Sequence, residues 1–340
     1  MTTVPAEQTL MAADMAEQPA VLRALIARRD EIGAALKQII PTVPRGFALV
    51  GRGSSENAAQ YGRIVLEMAT GVPVTIVPPS LVRLYGTSTE MRDFVAIGIS
   101  QSGYTPEIAE TISRLKLDGA VAVGITSDPA SPLAAVSDLV VDLQTSRERA
   151  VPATKTFTAE LAALAIIAEH IGVLPLSNVA WYTTVGSMER VLADVGPVML
   201  AASRLHDAHH VFTLAAGASA GLAHEAALKI MEASGIAASG FSGESFRHGP
   251  IAIAGPLNPV IAIAPAGPSH TDVMRVCETL IGVPSILIAH NGDIPLSDEL
   301  PETLGVIPAA IRIQQLALEL ARRRGVNPDA PPHTQKVLAS

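Results

Sequence analysis

The sequence predicts an α/β protein of two tandem doubly wound parallel sheets, preceded by a helical N-terminal arm. Strand-like aliphatic runs alternate with helical segments along most of the chain. The 340 residues are 49% hydrophobic but only 3% aromatic. Ala, Val, Leu and Ile must therefore fill the core, as in parallel sheets covered by helices on both faces. The two halves also open alike, each with an aliphatic strand, a Gly/Ser turn (Gly51–Ser55; Gly217–Ser219) and an Ala-rich helix. A weak repeat of roughly 160 residues is too long for a solenoid and suits two fused copies of one domain. The alternative is one large irregular α/β domain.

Within residues 8–40, Leu22, Leu25, Ile26, Ile32 and Leu36 recur at helical spacing among charges, which predicts one or two amphipathic helices. Pro41, Pro44 and Gly46 end that arm. Strands are then expected at Phe47–Gly51, Val74–Val77, Val95–Ile99, Ala120–Ile125 and Asp138–Leu143. Helical sequence from Lys155 to about Gly172, and from Thr183 to about Leu205, leads to a second series at Val211–Ala216, Val260–Ala264, Ser285–Ala289 and Thr303–Ile307. The expected divisions are an arm over 1–45, a first sheet domain over 46–182, a linking helix with a second sheet domain over 183–325, and a tail over 326–340.

Composition narrows the partners. The formal net charge is −8, and the only basic cluster is Arg322-Arg323-Arg324 at an expected helix end, so nucleic acid and anionic membrane are poor partners. No run approaches the ~18–20 apolar residues of a membrane span. Met1–Gln8 lacks the basic-then-apolar pattern of a signal peptide. Cys277 is the lone cysteine, which excludes an internal disulfide and fits a reducing, cytoplasmic setting.

Residues 95–107, VAIGISQSGYTPE, are the most informative stretch. A buried strand that empties into a hydroxyl-rich loop at a helix N-terminus can cradle phosphate, because free N–H groups and the helix dipole face the anion. The competing reading is an ordinary strand–helix link with a Ser N-cap. In a doubly wound sheet, ligands sit beyond the strand carboxyl ends where strand order reverses. The loops Gly51–Ser55 and Ser100–Thr105 should accordingly face a common pocket.

Lysine is scarce, with Lys37, Lys116, Lys155, Lys229 and Lys336 set against nineteen arginines. In the helical segment 224–232, Glu225, Lys229 and Glu232 fall on one face. That face reads either as a salt-bridged solvent stripe or, given Ala226, Ala227, Leu228 and Ile230, as a buried polar cluster. His248 follows in a polar loop, 240–250, and suits a surface histidine or a general acid/base equally. His333 and Lys336 lie in a tail, a place more often disordered than catalytic. The remaining histidines show no metal-ligand spacing, and no metal is expected.

Six segments in order, GRGSS (51–55), SQSGYTPE (100–107), ERAVPATKTFTAE (148–160), EAALKIME (225–232), GESFRHGP (243–250) and DAPPHTQKV (329–337), resemble the sugar isomerase (SIS) domain family along almost the whole chain. The likeness is to the tandem-SIS isomerase half of glutamine–fructose-6-phosphate aminotransferase and to the SIS-type glucosamine-6-phosphate deaminase. It implies two flavodoxin-like SIS domains. It further implies that Ser100, Gln101, Ser102 and Thr105 bind phosphate, that Ser54 and Ser55 line the sugar side, and that Val151 and Ala153 add backbone contacts. Ala153 stands where a serine is common in the family. The resemblance makes Glu232 the base that moves a proton between C1 and C2, supported by Lys229 and Glu225. It makes His248 the ring-opening histidine, supplied from a neighbouring subunit, and Lys336 the lysine that forms an imine with the ketose. Two departures stand out: Pro332 replaces an arginine common in the family's tail, and the second half's first turn reads Ala-Ala-Gly-Ala-Ser.

The implied activity is conversion of glucosamine 6-phosphate to fructose 6-phosphate and ammonia by a homodimer whose sites are shared between subunits. Carboxylate, histidine and lysine cover ring opening, proton transfer and stabilisation of an enediol or enolamine, so no nicotinamide, pyridoxal phosphate or metal is required. Lys229 or Lys336 would also suit pyridoxal phosphate, but no aspartate–pyridine signature follows the cradle. Glutamine hydrolysis needs a nucleophilic cysteine near the N-terminus, and Cys277 is not one, so glutaminase activity is not expected. The alternatives are an aldose–ketose isomerase of another sugar phosphate and a non-catalytic sugar-phosphate sensor.

Overall fold

The computed structural model describes residues 9–40, 43–296 and 300–332. They divide into two compact units, one built on residues within 20–147 and 159–176 and the other on residues within 9–19, 148–158 and 177–332. The described residues begin with three helices where one or two were expected within 8–40, α1 (Leu10–Ala16), α2 (Gln18–Ala27) and α3 (Arg29–Ile39). Thr9 starts the first, its hydroxyl accepting from the Ala12 amide at 3.1 Å.

Regular alternation follows: β1 (Gly46–Val50), α4 (Ser54–Thr70), β2 (Val74–Ile76), α5 (Ser80–Tyr85), β3 (Phe94–Ile99), α6 (Pro106–Leu117), β4 (Val121–Thr126), α7 (Pro132–Val136) and β5 (Leu139–Asp142). The five strands form one parallel sheet in the order β2-β1-β3-β4-β5. The central strands β1 and β3 are buried on both faces apart from Phe94 at one end, as their unbroken aliphatic sequences require.

Two helices, α8 (Lys155–Ile171) and α9 (Asn178–Ala193), precede α10 (Gly196–Leu205). The second series is β6 (His210–Ala215), α11 (Ala220–Ser234), β7 (Ala237–Ser242), α12 (Gly243–Arg247), β8 (Val260–Ile263), α13 (His270–Cys277), β9 (Ser285–Ala289), β10 (Ile294–Pro295) and α14 (Glu302–Arg323). Its parallel sheet runs β10-β9-β8-β6-β7. Numbered within their own sheets, both read second, first, third, fourth, fifth. The two sheets therefore wind identically.

The structure differs from the sequence expectation at α14 in two respects. Thr303–Ile307, expected as a strand, lies inside α14, because a short apolar run with β-branched residues does not by itself separate strand from buried helix. The same 22-residue helix is long and apolar enough to cross a membrane by length and composition, although no such run was expected. Its apolar window is wholly buried within the protein, which makes it a core helix. Arg312 in its middle is only 2% exposed and donates to the carbonyls of Pro295, Val191 and Asp194. Three of the eleven aromatic residues meet in one place: Phe212, Phe241 and Phe246 pack with centroids 5.2–6.1 Å apart between the second sheet and α12.

Candidate functional site

The first cradle forms where strand order reverses. β1 and β3 lie side by side with Val50 opposite Gly98, so the turn at 51–53 and the loop at 100–105 leave from adjacent carboxyl ends. Ser100 is buried, and its hydroxyl accepts from the Gly103 amide at 3.1 Å. Ser102 Oγ accepts from Tyr104 N at 3.2 Å. The carbonyl of Gln101 is pinned from the next strand by the Ser127 amide at 2.9 Å and the Thr126 hydroxyl at 3.2 Å. Gly103 has φ 71°, a left-handed value that lets the loop reverse without a Cβ penalty.

This is not an ordinary Ser-capped link. The cap of α6 is Thr105, in extended conformation, and its side chain makes no capping hydrogen bond. Its Oγ1 lies 3.4 Å from Ser100 Oγ. Thr105 thus presents a hydroxyl beside the N-terminus of a 12-residue helix with Pro106 in its first turn. The structure brings Ser100, Gln101, Ser102 and Thr105 together in one loop. Ser54 and Ser55 begin α4 after Gly53. Ser55 is buried and donates to Glu160 Oε1 on α8 at 2.8 Å.

The second set of groups belongs to the other unit. α11 ends at Gly235, whose left-handed backbone closes the helix. Glu225, Lys229 and Glu232 share one face, and that face points inward: Lys229 is fully buried and Glu225 is 1% exposed. Lys229 Nζ lies 3.6 Å from Glu225 Oε1 and donates a short hydrogen bond to Glu232 Oε2. The solvent-stripe reading is thereby excluded. Glu232 is the member that reaches solvent, with 22% of its side chain exposed. Burial alone would lower the Lys229 pKa, but Glu225, Glu232 and Glu148 outweigh it and hold the ammonium above its ordinary range. The result is a fixed positive charge under a solvent-reaching carboxylate.

Glu148 was read only as part of a motif, and it belongs to this electrostatic cluster. Its Oε1 accepts from Thr154 N at 2.5 Å and Thr154 Oγ1 at 2.9 Å. On the other side, Asp14 of α1 accepts from the amides of Arg149 (2.7 Å) and Ala150 (2.9 Å). Buried Lys155 bridges Asp14 at 3.1 Å and Glu17 at 2.8 Å. The segment carrying Val151 and Ala153 is thus clamped at both ends, with both residues half-buried. Burial pushes the Asp14 pKa up, but the two amides and Lys155 overcome it and leave the carboxyl below its usual range. Neither the Asp14 clamp nor the place of Glu148 beside Lys229 carried a sequence signal, since Asp14 lies 135 positions from Arg149 and Glu148 lies 81 from Lys229.

His248 follows α12 and is exposed, and its imidazole makes no hydrogen bond or ion pair with a described residue. His333 and Lys336 lie outside the described residues. Among the described residues, no group of three or more His, Cys, Asp or Glu side chains is placed to hold a metal ion.

The SIS domain model matches residues 45–169 and 204–322. Glutamine–fructose-6-phosphate aminotransferase (isomerizing) of Gloeobacter violaceus is 28% identical over 356 aligned residues, covering 96% of this chain and 58% of that protein. The chain spans a little more than half the length of the curated relatives it matches. Among solved structures, glucosamine-6-phosphate deaminase from Thermotoga maritima matches with a TM-score of 0.75 and 24% identity, over 93% of this chain and 98% of that one. Tagatose-6-phosphate ketose/aldose isomerase from Escherichia coli matches with a TM-score of 0.79 and 20% identity, over 97% and 98%. At these identities the two structures speak for the fold.

Proposed function

This chain belongs to the SIS domain family, and we propose that it interconverts an aldose and a ketose sugar phosphate, converting glucosamine 6-phosphate and water to fructose 6-phosphate and ammonia. The observation that carries the reading is the buried Lys229, which holds Glu232 at the one place on α11 where the cluster meets solvent. A carboxylate fixed beside a permanent cation, with solvent access, suits a proton shuttle.

In the proposed reaction the phosphate is held by the amides and hydroxyls of the Ser100–Thr105 loop, with Ser54 and Ser55 toward the sugar. His248 opens the pyranose ring. Glu232 takes the proton from C2, leaving an enolamine, and returns it to C1, which gives the C2 imine of the ketose. Water then adds at C2, and ammonia leaves. Lys229 and Glu225 keep the Glu232 carboxylate in place, and Val151 and Ala153 contribute main-chain contacts. Lys336 is assigned the imine-forming role that the resemblance implies: its amine can take the place of that water at C2, ammonia leaving as the lysyl imine of the ketose forms and water then hydrolysing the imine to free the lysine and fructose 6-phosphate.

The family resemblance also supports a cytoplasmic homodimer in which His248 completes a partner's site. Mixing inactive Glu232→Gln and His248→Ala chains should then restore part of the activity. Proven subunit exchange without recovery would place His248 in its own subunit's site. The function itself is tested with a panel of hexose and hexosamine 6-phosphates, assayed in parallel for ammonia and for ketose phosphate. Ammonia from glucosamine 6-phosphate supports the deaminase. Ketose phosphate without ammonia, from a different sugar, assigns a plain isomerase. Thermal stabilisation with no turnover of any sugar overturns catalysis in favour of a sensor.

A further inference from the structure

The second sheet carries the same two loops as the first, and something already occupies them. β6 and β8 pair at its switch point with Leu214 opposite Ala262. After β6, Gly217 (φ 54°) and Ser219 stand where Gly53 (φ 57°) and Ser55 stand after β1. After β8, Gly267 and Ser269 stand where Gly103 and Thr105 stand after β3, and in each case the next residue opens a helix.

The side chains differ in one direction. Ala264, Pro265 and Ala266 replace Ser100, Gln101 and Ser102, and Ala218 replaces Ser54. The donors that remain converge on one carboxylate, that of Glu302 in the first turn of α14. Glu302 Oε1 accepts from Ala218 N at 3.1 Å and Ser269 Oγ at 2.7 Å, and Oε2 accepts from Ser269 N at 3.1 Å. The fit is close on both sides. A Cβ on Gly217 would come within 2.9 Å of Glu302 Oε1, and one on Gly267 within 2.5 Å of Glu302 Cβ. Ser219, on the same turn, is wholly buried, and its hydroxyl finds no acceptor or donor among the described residues.

We propose that the second switch point is an oxyanion site whose resident ligand is the chain's own Glu302 carboxylate, so that removing this carboxylate leaves a site for inorganic phosphate or sulfate. The donors involved are two amides and a hydroxyl, the set that favours a tetrahedral oxyanion as readily as a carboxylate. The inference rests on the second sheet alone and stands whether or not the first loop binds phosphate.

The test is calorimetric titration of the full chain with inorganic phosphate at constant ionic strength. Glu302→Ala should bind one phosphate more per chain than the wild type. Glu302→Ala/Ser269→Ala should lose that additional site. Glu278→Ala, which removes a surface charge at the other end of α13, should leave the wild-type stoichiometry unchanged. A folded Glu302→Ala chain with wild-type stoichiometry overturns the proposal, as does an additional site that survives loss of the Ser269 hydroxyl. If Glu302→Ala does not fold in chloride, the readout becomes its refolding yield in phosphate: rescue that Glu302→Ala/Ser269→Ala does not share supports the proposal, and no rescue, or equal rescue of both variants, overturns it.

Discussion

Replacing Lys229 by Met should destabilise the unit that contains α11 more than any other single change in the cluster. Lys229 and Glu225 are both fully or almost fully buried, with Nζ 3.6 Å from Oε1. At that distance and an effective dielectric near 20, their attraction is about 4–5 kcal/mol, much of it offset in the native pair by desolvation. Removing the cation leaves the Glu225 carboxylate buried without its compensating charge, and broken buried pairs typically lose about 3–5 kcal/mol. Trp181 is the only tryptophan of the chain, is fully buried, and belongs to the same unit. Urea unfolding followed by its fluorescence should show a loss of about 3–5 kcal/mol for Lys229→Met. Lys229→Met/Glu225→Gln should recover at least about half of that, because the stranded charge is gone. Glu232→Gln should cost under about 1 kcal/mol, since Glu232 is partly solvated. A Lys229→Met loss below about 1 kcal/mol, or a double variant no better than the single, would refute the buried-cation account.

Two further outcomes follow from the loops. Ser102→Ala/Thr105→Ala should weaken sugar-phosphate binding by about 1–3 kcal/mol, the range for lost hydrogen bonds to a charged group; unchanged affinity in calorimetry would remove the phosphate from this loop. Asp14, held below the usual carboxylate range, contributes stability that is complete above its unfolded value of about 3.9 and is lost as pH falls through the lower folded value. The stability advantage of wild type over Asp14→Asn should therefore shrink as unfolding is measured from about pH 6 toward about pH 3; an advantage constant across that range would contradict the role given to the two amides and Lys155.

Much of this fold was legible because parallel strands buried on both faces are written as uninterrupted aliphatic runs, as at Phe47–Val50 and Val95–Ile99. β7 was missed for the opposite reason. It is an edge strand of sequence AASGFS, mostly half-exposed, so it has neither an apolar run nor clean alternation. β10 is two residues long and is recognisable only through its pairing with β9. Of the site, the Ser100–Thr105 loop and the Glu225–Lys229–Glu232 face could be read, because each is local in sequence. The Glu148 charge near Lys229, the Asp14 clamp and the Glu302 insertion could not, because each is a contact between residues far apart in the chain. Burial decided what periodicity left open: the face of α11 looked equally like a solvated stripe until Lys229 proved inaccessible.

In the proposed reaction Glu232 moves a proton between C1 and C2 of a sugar phosphate, and solvent isotope exchange reports that transfer. Wild-type protein turning over glucosamine 6-phosphate in deuterated water should place deuterium at C1 of the fructose 6-phosphate formed. Glu232→Gln, with its shape retained, should still bind the sugar phosphate but turn over about 10²–10⁴-fold more slowly and incorporate no deuterium in the time the wild type completes exchange. Near-normal turnover by Glu232→Gln with deuterium still entering the product would contradict the account.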